Sequence, residues 1–241
     1  RLSDAEDCCL RALDGEFTWL TSLTTTSEAI IQDLCAVGQT LHQPDYPVTL
    51  LRRILSTRAT VWPILDPYRT MLQQTYVQAL LDAHQYSEAR DVAAQTRQLL
   101  DEQGQTAQAY GALLILEGRA LVHLGDYAQA DVRFQRAYQA LEKAGPDARA
   151  VRLEALERRG ALALLCGASY RGITALRQAI ALAEILYNPS HPVVLSLLGQ
   201  LSWHYVVLHL YPQAISVRAL MQRIALRLDS MADVTPTQVL S

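Results

Sequence analysis

The chain has 241 residues, 50% of them hydrophobic, with 21 basic and 24 acidic side chains and a net charge of -3. That length can bury a sizeable core, and so even a charge balance excludes a general affinity for nucleic acid or an acidic membrane surface. Cys8, Cys9, Cys35 and Cys166 show neither disulfide-framework nor metal-ligand spacing, so buried free thiols and a cytoplasmic setting are expected. No run of apolar residues free of charges or turn formers is long enough to span a bilayer. The first residue is Arg, which leads us to expect a domain excised from a longer protein.

Taken in order, residues 2 to 14 read as a short helix on which Ala5, Cys9 and Ala12 share one side. Thr25-Thr-Ser-Glu28 has capping-box spacing and introduces a helix over about 27 to 42. Pro44 and Pro47 bracket a turn, and Tyr46, Thr49 and Arg53 are then expected on the packed side of a degenerate helix. Asp66 as N-cap with Pro67 at the first helical position starts the next helix, to about 83, and Tyr86, Ala89 and Ala93 open its partner, to about 102. A helix pair is expected over about 107 to 144, and after Gly145-Pro-Asp147 further helices over about 148 to 166 and 169 to 187. Asn188-Pro-Ser-His-Pro192 marks a boundary, because Pro189 cannot continue a helix whereas Pro192 suits a first turn. Helices over about 192 to 209 and 212 to 229 follow, and 230–241 is expected to be a flexible tail.

These helices repeat. Gly118, Gly125, Ala130, Phe134 and Ala137 recur 42 residues later as Gly160, Gly167, Gly172, Leu176 and Ala179, and again as Ser202, His209, Ala214, Arg218 and Met221. His84 falls in the same turn position as Gly125, Gly167 and His209. A long period filled by one helix-turn-helix predicts an all-α solenoid, a single array over 1–241 with degenerate repeats in 1–66 and clearer ones in 67–229.

Small residue, large residue, Gly125-Asp-Tyr127, Ala130, Phe134 and Ala137 at these offsets resemble a tetratricopeptide repeat. The resemblance implies a right-handed helical solenoid of about four to five repeats plus a partial N-terminal one. The spacing here exceeds the usual repeat of about 34 residues and is similar to the kinesin light chain type and to repeats of large bacterial regulators. In the family the first helix of each repeat lines a concave groove. The corresponding positions here include Gln74, Gln78, Ile115, Arg119, Val122, His123, Glu157, Trp203 and Val206, with Arg158 beside them. A groove of this composition suits a peptide or partner helix. Arg119 and Arg158 either bind an acidic group or pair with Glu117, Glu154 or Glu157, and Trp203 is either a groove anchor or core. The lysine and asparagine of the family's carboxylate clamp have no counterpart at these positions.

No phosphate loop, nucleophile elbow or metal-ligand cluster is legible. His204 and His209 are five apart and lie on different faces of one helix, so structural or solvent-facing histidines are expected. The reading is a non-enzymatic module without cofactor or metal, binding another protein or peptide, and not nucleic acid or membrane. The alternative is a ligand-sensing or self-associating regulatory domain of a bacterial signalling or transcription regulator. Behind it stands the last helix, whose Ile215, Val217, Leu220, Ile224 and Leu228 lack a polar capping helix.

Overall fold

A computed structural model describes residues 45–58, 67–102 and 107–232. Nine α-helices lie within them: α1 (Asp45–Arg58), α2 (Pro67–Asp82), α3 (Tyr86–Glu102), α4 (Ala107–His123), α5 (Tyr127–Glu142), α6 (Arg149–Leu165), α7 (Ser169–Leu186), α8 (Pro192–Val207) and α9 (Tyr211–Ala232). A single 3-10 turn, Pro146–Ala148, precedes α6, and no strand occurs among the described residues. The fold is all-α and built of successive helix pairs. The expectations for 2–14, the capping box, 27–42, Asp66 and residues 233–241 lie outside the described residues.

The chain divides into two compact units, Arg1–Asp126 and Tyr127–Ser241. In the first, α1 packs on α2, α2 on α3, and α4 on both α2 and α3. Leu50, Leu51, Leu72, Val77, Leu80 and Ala89 form its core. In the second, α5 packs on α6, and α6 to α9 form two successive pairs with a core of Leu156, Leu176, Ala179, Val194, Leu197 and Leu201.

The turns between paired helices are one device used four times. His84, Gly125, Gly167 and His209 have φ of 60°, 81°, 65° and 56°. At each, two backbone amides fold back onto the ending helix: Gln85 N to Leu80 O and His84 N to Leu81 O in the first, Leu210 N to Tyr205 O and His209 N to Val206 O in the last. This is the left-handed C-terminal cap that satisfies carbonyls otherwise left open. Histidine takes the place of glycine twice, and each time its Nδ1 is hydrogen-bonded to the hydroxyl of a tyrosine two residues on, Tyr86 at 2.6 Å and Tyr211 at 2.8 Å.

The recurring small residues sit where helices meet closely. A Cβ at Gly160 would lie 2.6 Å from Leu176 Cγ and Cδ2. One repeat later the same two positions hold Ser202 and Arg218, and steric contact gives way to a hydrogen bond from Arg218 Nε to Ser202 Oγ at 3.2 Å.

Three boundary expectations need correction. Pro47 lies inside the first turn of α1 rather than after a turn, a position where its missing amide costs nothing. On that helix Thr49 and Arg53 are exposed while Leu50 and Ile54 are buried, a register one residue later than expected. The last helix continues to Ala232, three residues into the segment read as a tail.

Candidate functional site

The candidate residues sit on α2 and α4 of the first unit and on α6 and α8 of the second. Their polar members join one first helix to the next. Gln78 Oε1 accepts from Arg119 Nη1, and Gln78 Nε2 donates to Asp82 Oδ1 at 2.6 Å. Gln74 Nε2 donates to Ala109 O at 3.3 Å, fixing the start of α4 against α2. In the second unit Gln200 Nε2 donates to Glu157 Oε1 at 3.1 Å, linking α8 to α6. These contacts spend the hydrogen-bonding capacity of Gln74, Gln78 and Glu157 largely on register between repeats.

Arg119 thus meets Gln78 of the preceding first helix. Glu117 is buried and accepts from Arg97 Nε of α3 at 3.0 Å. Arg158, on the exposed side of α6, makes the short-range pair with Glu154 at 3.4 Å. Both groups remain more than a third exposed, so this pair adds little to stability.

Among the apolar candidates Ile115 requires correction. It is 2% exposed although its spacing puts it on the same side of α4 as Arg119 and Val122, so this part of that side is covered by packed neighbours. Val122 and Val206 are half-buried, and His123 is exposed, with its ring stacked on Tyr86 at 4.3 Å between centroids. Trp203 is 54% exposed, so its indole is not part of the core. Val207, one turn further along α8, is 45% exposed, and Leu165, at the corresponding position one repeat earlier, is 59% exposed. With Ala161 these side chains make an apolar surface on two first helices that the Gln200–Glu157 bond holds together. The family's groove pattern also falls on Leu165 and Val207, and the 42-residue period pairs them.

The neighbour of Trp203 does the opposite. His204 is fully buried, and its Nε2 donates to Gly160 O at 3.0 Å, which fixes the proton on Nε2 and leaves Nδ1 without a partner. Burial pushes this imidazole below its ordinary value of 6.5. Gly172 makes room for the ring. His204 thus ties α8 to α6 and α7 from behind while Trp203 faces outward, as expected for consecutive positions on a helix. Cys166, expected to be buried, is exposed, because it is the residue on which α6 ends.

Among the described residues no group of three or more His, Cys, Asp or Glu could hold a metal ion, and no helix is long and apolar enough to cross a membrane.

No family model matches the chain, and no curated protein is similar to it in sequence. Solved structures are similar in fold. A kinesin light chain-like protein of Podosopora anserina with nearly identical TPR-like repeats aligns with a TM-score of 0.71 at 17% identity, covering 83% of this chain and 95% of that one. BtubC (BKLC) from P. vanneervenii aligns at 0.78 and 12% identity, over 95% and 89%. MamA aligns at 0.57 and 12% identity, over 86% and 98%. The chain has the fold of TPR-like repeat proteins.

Proposed function

We propose that this TPR-like chain is a protein-interaction module that holds a partner protein or peptide segment along its first helices. The observation that carries the reading is the apolar surface of Trp203, Val207 and Leu165, exposed on adjacent first helices of the second unit. A large aromatic held on a rigid helix beside aliphatic neighbours is the composition of an interface anchor. In the first unit Arg119, Val122 and His123 supply a separate, more polar surface of the same kind. Arg158 lies beside the apolar strip and can meet an acidic group of the partner by giving up its weak pair with Glu154.

The test is affinity capture by the 241-residue chain, compared with a variant carrying Trp203→Ala, Val122→Ala and Arg119→Ala. Loss of captured partners with helical circular dichroism intact supports the assignment. An unchanged capture profile in the folded variant removes it.

A second reading rests on α9. Tyr211, Ile215 and Leu226 are 53%, 66% and 62% exposed along it, whereas Ile224 packs inward. Self-association through this face makes light scattering depend on protein concentration. A strict monomer over a wide concentration range argues against it.

A further inference from the structure

A cleft of about 270 Å³ opens in the second unit between the first half of α5, the end of α6 and the start of α7. Its floor includes Leu162, Ala163 and Ala175, and its polar lining comprises Tyr127, Asp131, Arg159, Arg171 and the Cys166 thiol. The repeat itself does not create this space. Forty-two residues on, most of the equivalent positions at the junction of α7, α8 and α9 carry larger or apolar side chains, Ser169, His204 and Gln213 being the exceptions. Tyr170 stands for Ala128, Ile173 for Asp131, Leu201 for Arg159, Tyr205 for Ala163, Leu208 for Cys166 and Val217 for Ala175. Ile173, Leu201 and Tyr205 are buried there. One junction is closed by side chains, and the other is left open by alanines with charges at its edge.

An unfilled apolar volume weakens a fold, because its walls lose their packing partners. The charges give the space a sign. Arg159 Nε meets Asp131 Oδ1 at 3.3 Å, and this pair is close to neutral. The Arg171 guanidinium has no ion-pair partner among the described residues, so the cleft carries one uncompensated positive charge beside an apolar floor. We propose that it binds a small organic monoanion, a carboxylate with a compact apolar body, whose charged end meets Arg171 and whose body fills the space that Tyr205 and Val217 occupy in the next repeat. The volume lies near the lower edge of small-molecule sites, which suits a ligand of benzoate or hexanoate size.

Cys166 supplies a direct readout, since a molecule in the cleft shields its thiol. Alkylation of the full 241-residue chain by iodoacetamide, followed on the Cys166 peptide by mass spectrometry, is measured with benzoate or hexanoate. Benzamide and hexanamide serve as uncharged controls, at constant ionic strength. The expected result is slower alkylation with the acids and little change with the amides. Arg171→Gln, which installs the residue that Gln213 provides one repeat later, should weaken protection about tenfold, the loss of roughly one charge-assisted hydrogen bond. Ala128→Tyr should abolish protection by obstructing the mouth, at an exposed position where folding is unaffected. Equal protection by acids and amides, undiminished protection in Arg171→Gln, or no protection by either acid overturns the proposal.

Discussion

Gly172→Ala isolates the contact on which the last repeat depends. A Cβ built at Gly172 overlaps His204 Cε1 and lies 2.6 Å from Nε2 and 2.8 Å from Nδ1. The ring is fully buried and cannot swing into solvent without leaving Gly160 O. Overpacking costs about 1–3 kcal/mol, and the lost hydrogen bond about 1 kcal/mol. Alanine returns about 0.5–1 kcal/mol of helix propensity. The net expectation is destabilisation by about 2 kcal/mol, a fall in Tm of roughly 4–8 °C for a chain of this size. Thermal and urea unfolding of wild type, Gly172→Ala, His204→Ala and the double variant close a thermodynamic cycle. With the ring removed, Gly172→Ala should change sign and stabilise by about 0.5–1 kcal/mol. The same penalty in both backgrounds refutes the argument that the ring and the glycine fit each other.

Other consequences follow from the same geometry. Gly125→Ala and Gly167→Ala should each cost about 1–2 kcal/mol in chemical unfolding although no atom lies within 4 Å of the new Cβ, because the penalty resides in the positive φ alone. Glu117→Gln leaves Arg97 partly buried and uncompensated and should destabilise by about 2–4 kcal/mol, whereas Arg158→Ala should change stability by under about 0.5 kcal/mol in the same assay. For His204 the folded imidazole titrates below the unfolded value of 6.5. Stability is therefore full above that pH and declines as pH falls from 6.5 through the folded value, where the unfolded chain binds a proton that the folded ring refuses. Urea midpoints measured from pH 7.5 downward should fall less steeply in His204→Gln than in wild type. Trp203 should be accessible to acrylamide, so Trp203→Phe should remove a readily quenched part of the fluorescence.

Much of the second half of the chain was legible from spacing, because a repeated helix pair states its turns and its close contacts more than once. His84 and His209 illustrate this. Neither resembles a glycine, yet their position in the period gave them the turn, and both adopt the left-handed conformation. Where the repeat has decayed the inference slipped, as in α1, whose packed side is one residue later than its best alignment. The side of a helix that meets solvent was less legible than its position. Ile115 follows the family's ligand-facing pattern and is buried, while Trp203 follows it and is exposed. Partnerships between repeats were not legible, because Gln78 with Arg119 and Glu157 with Gln200 lie 41 and 43 residues apart and carry no local pattern. The cleft at Arg159 and Arg171 was missed for a related reason. Each of its alanines reads as an ordinary small residue until it is set against the larger side chain one repeat later.

The claim that the first helices hold the partner is tested most directly by a photo-crosslinking amino acid placed at position 203 on α8, at 165 on α6, and at 185 on the second helix α7. Wild-type Ile185 is 69% exposed, so access alone does not separate the sites. Partner adducts from 203 and 165 and none from 185 are the predicted result. Adducts from 185 and none from 203 or 165 contradict it.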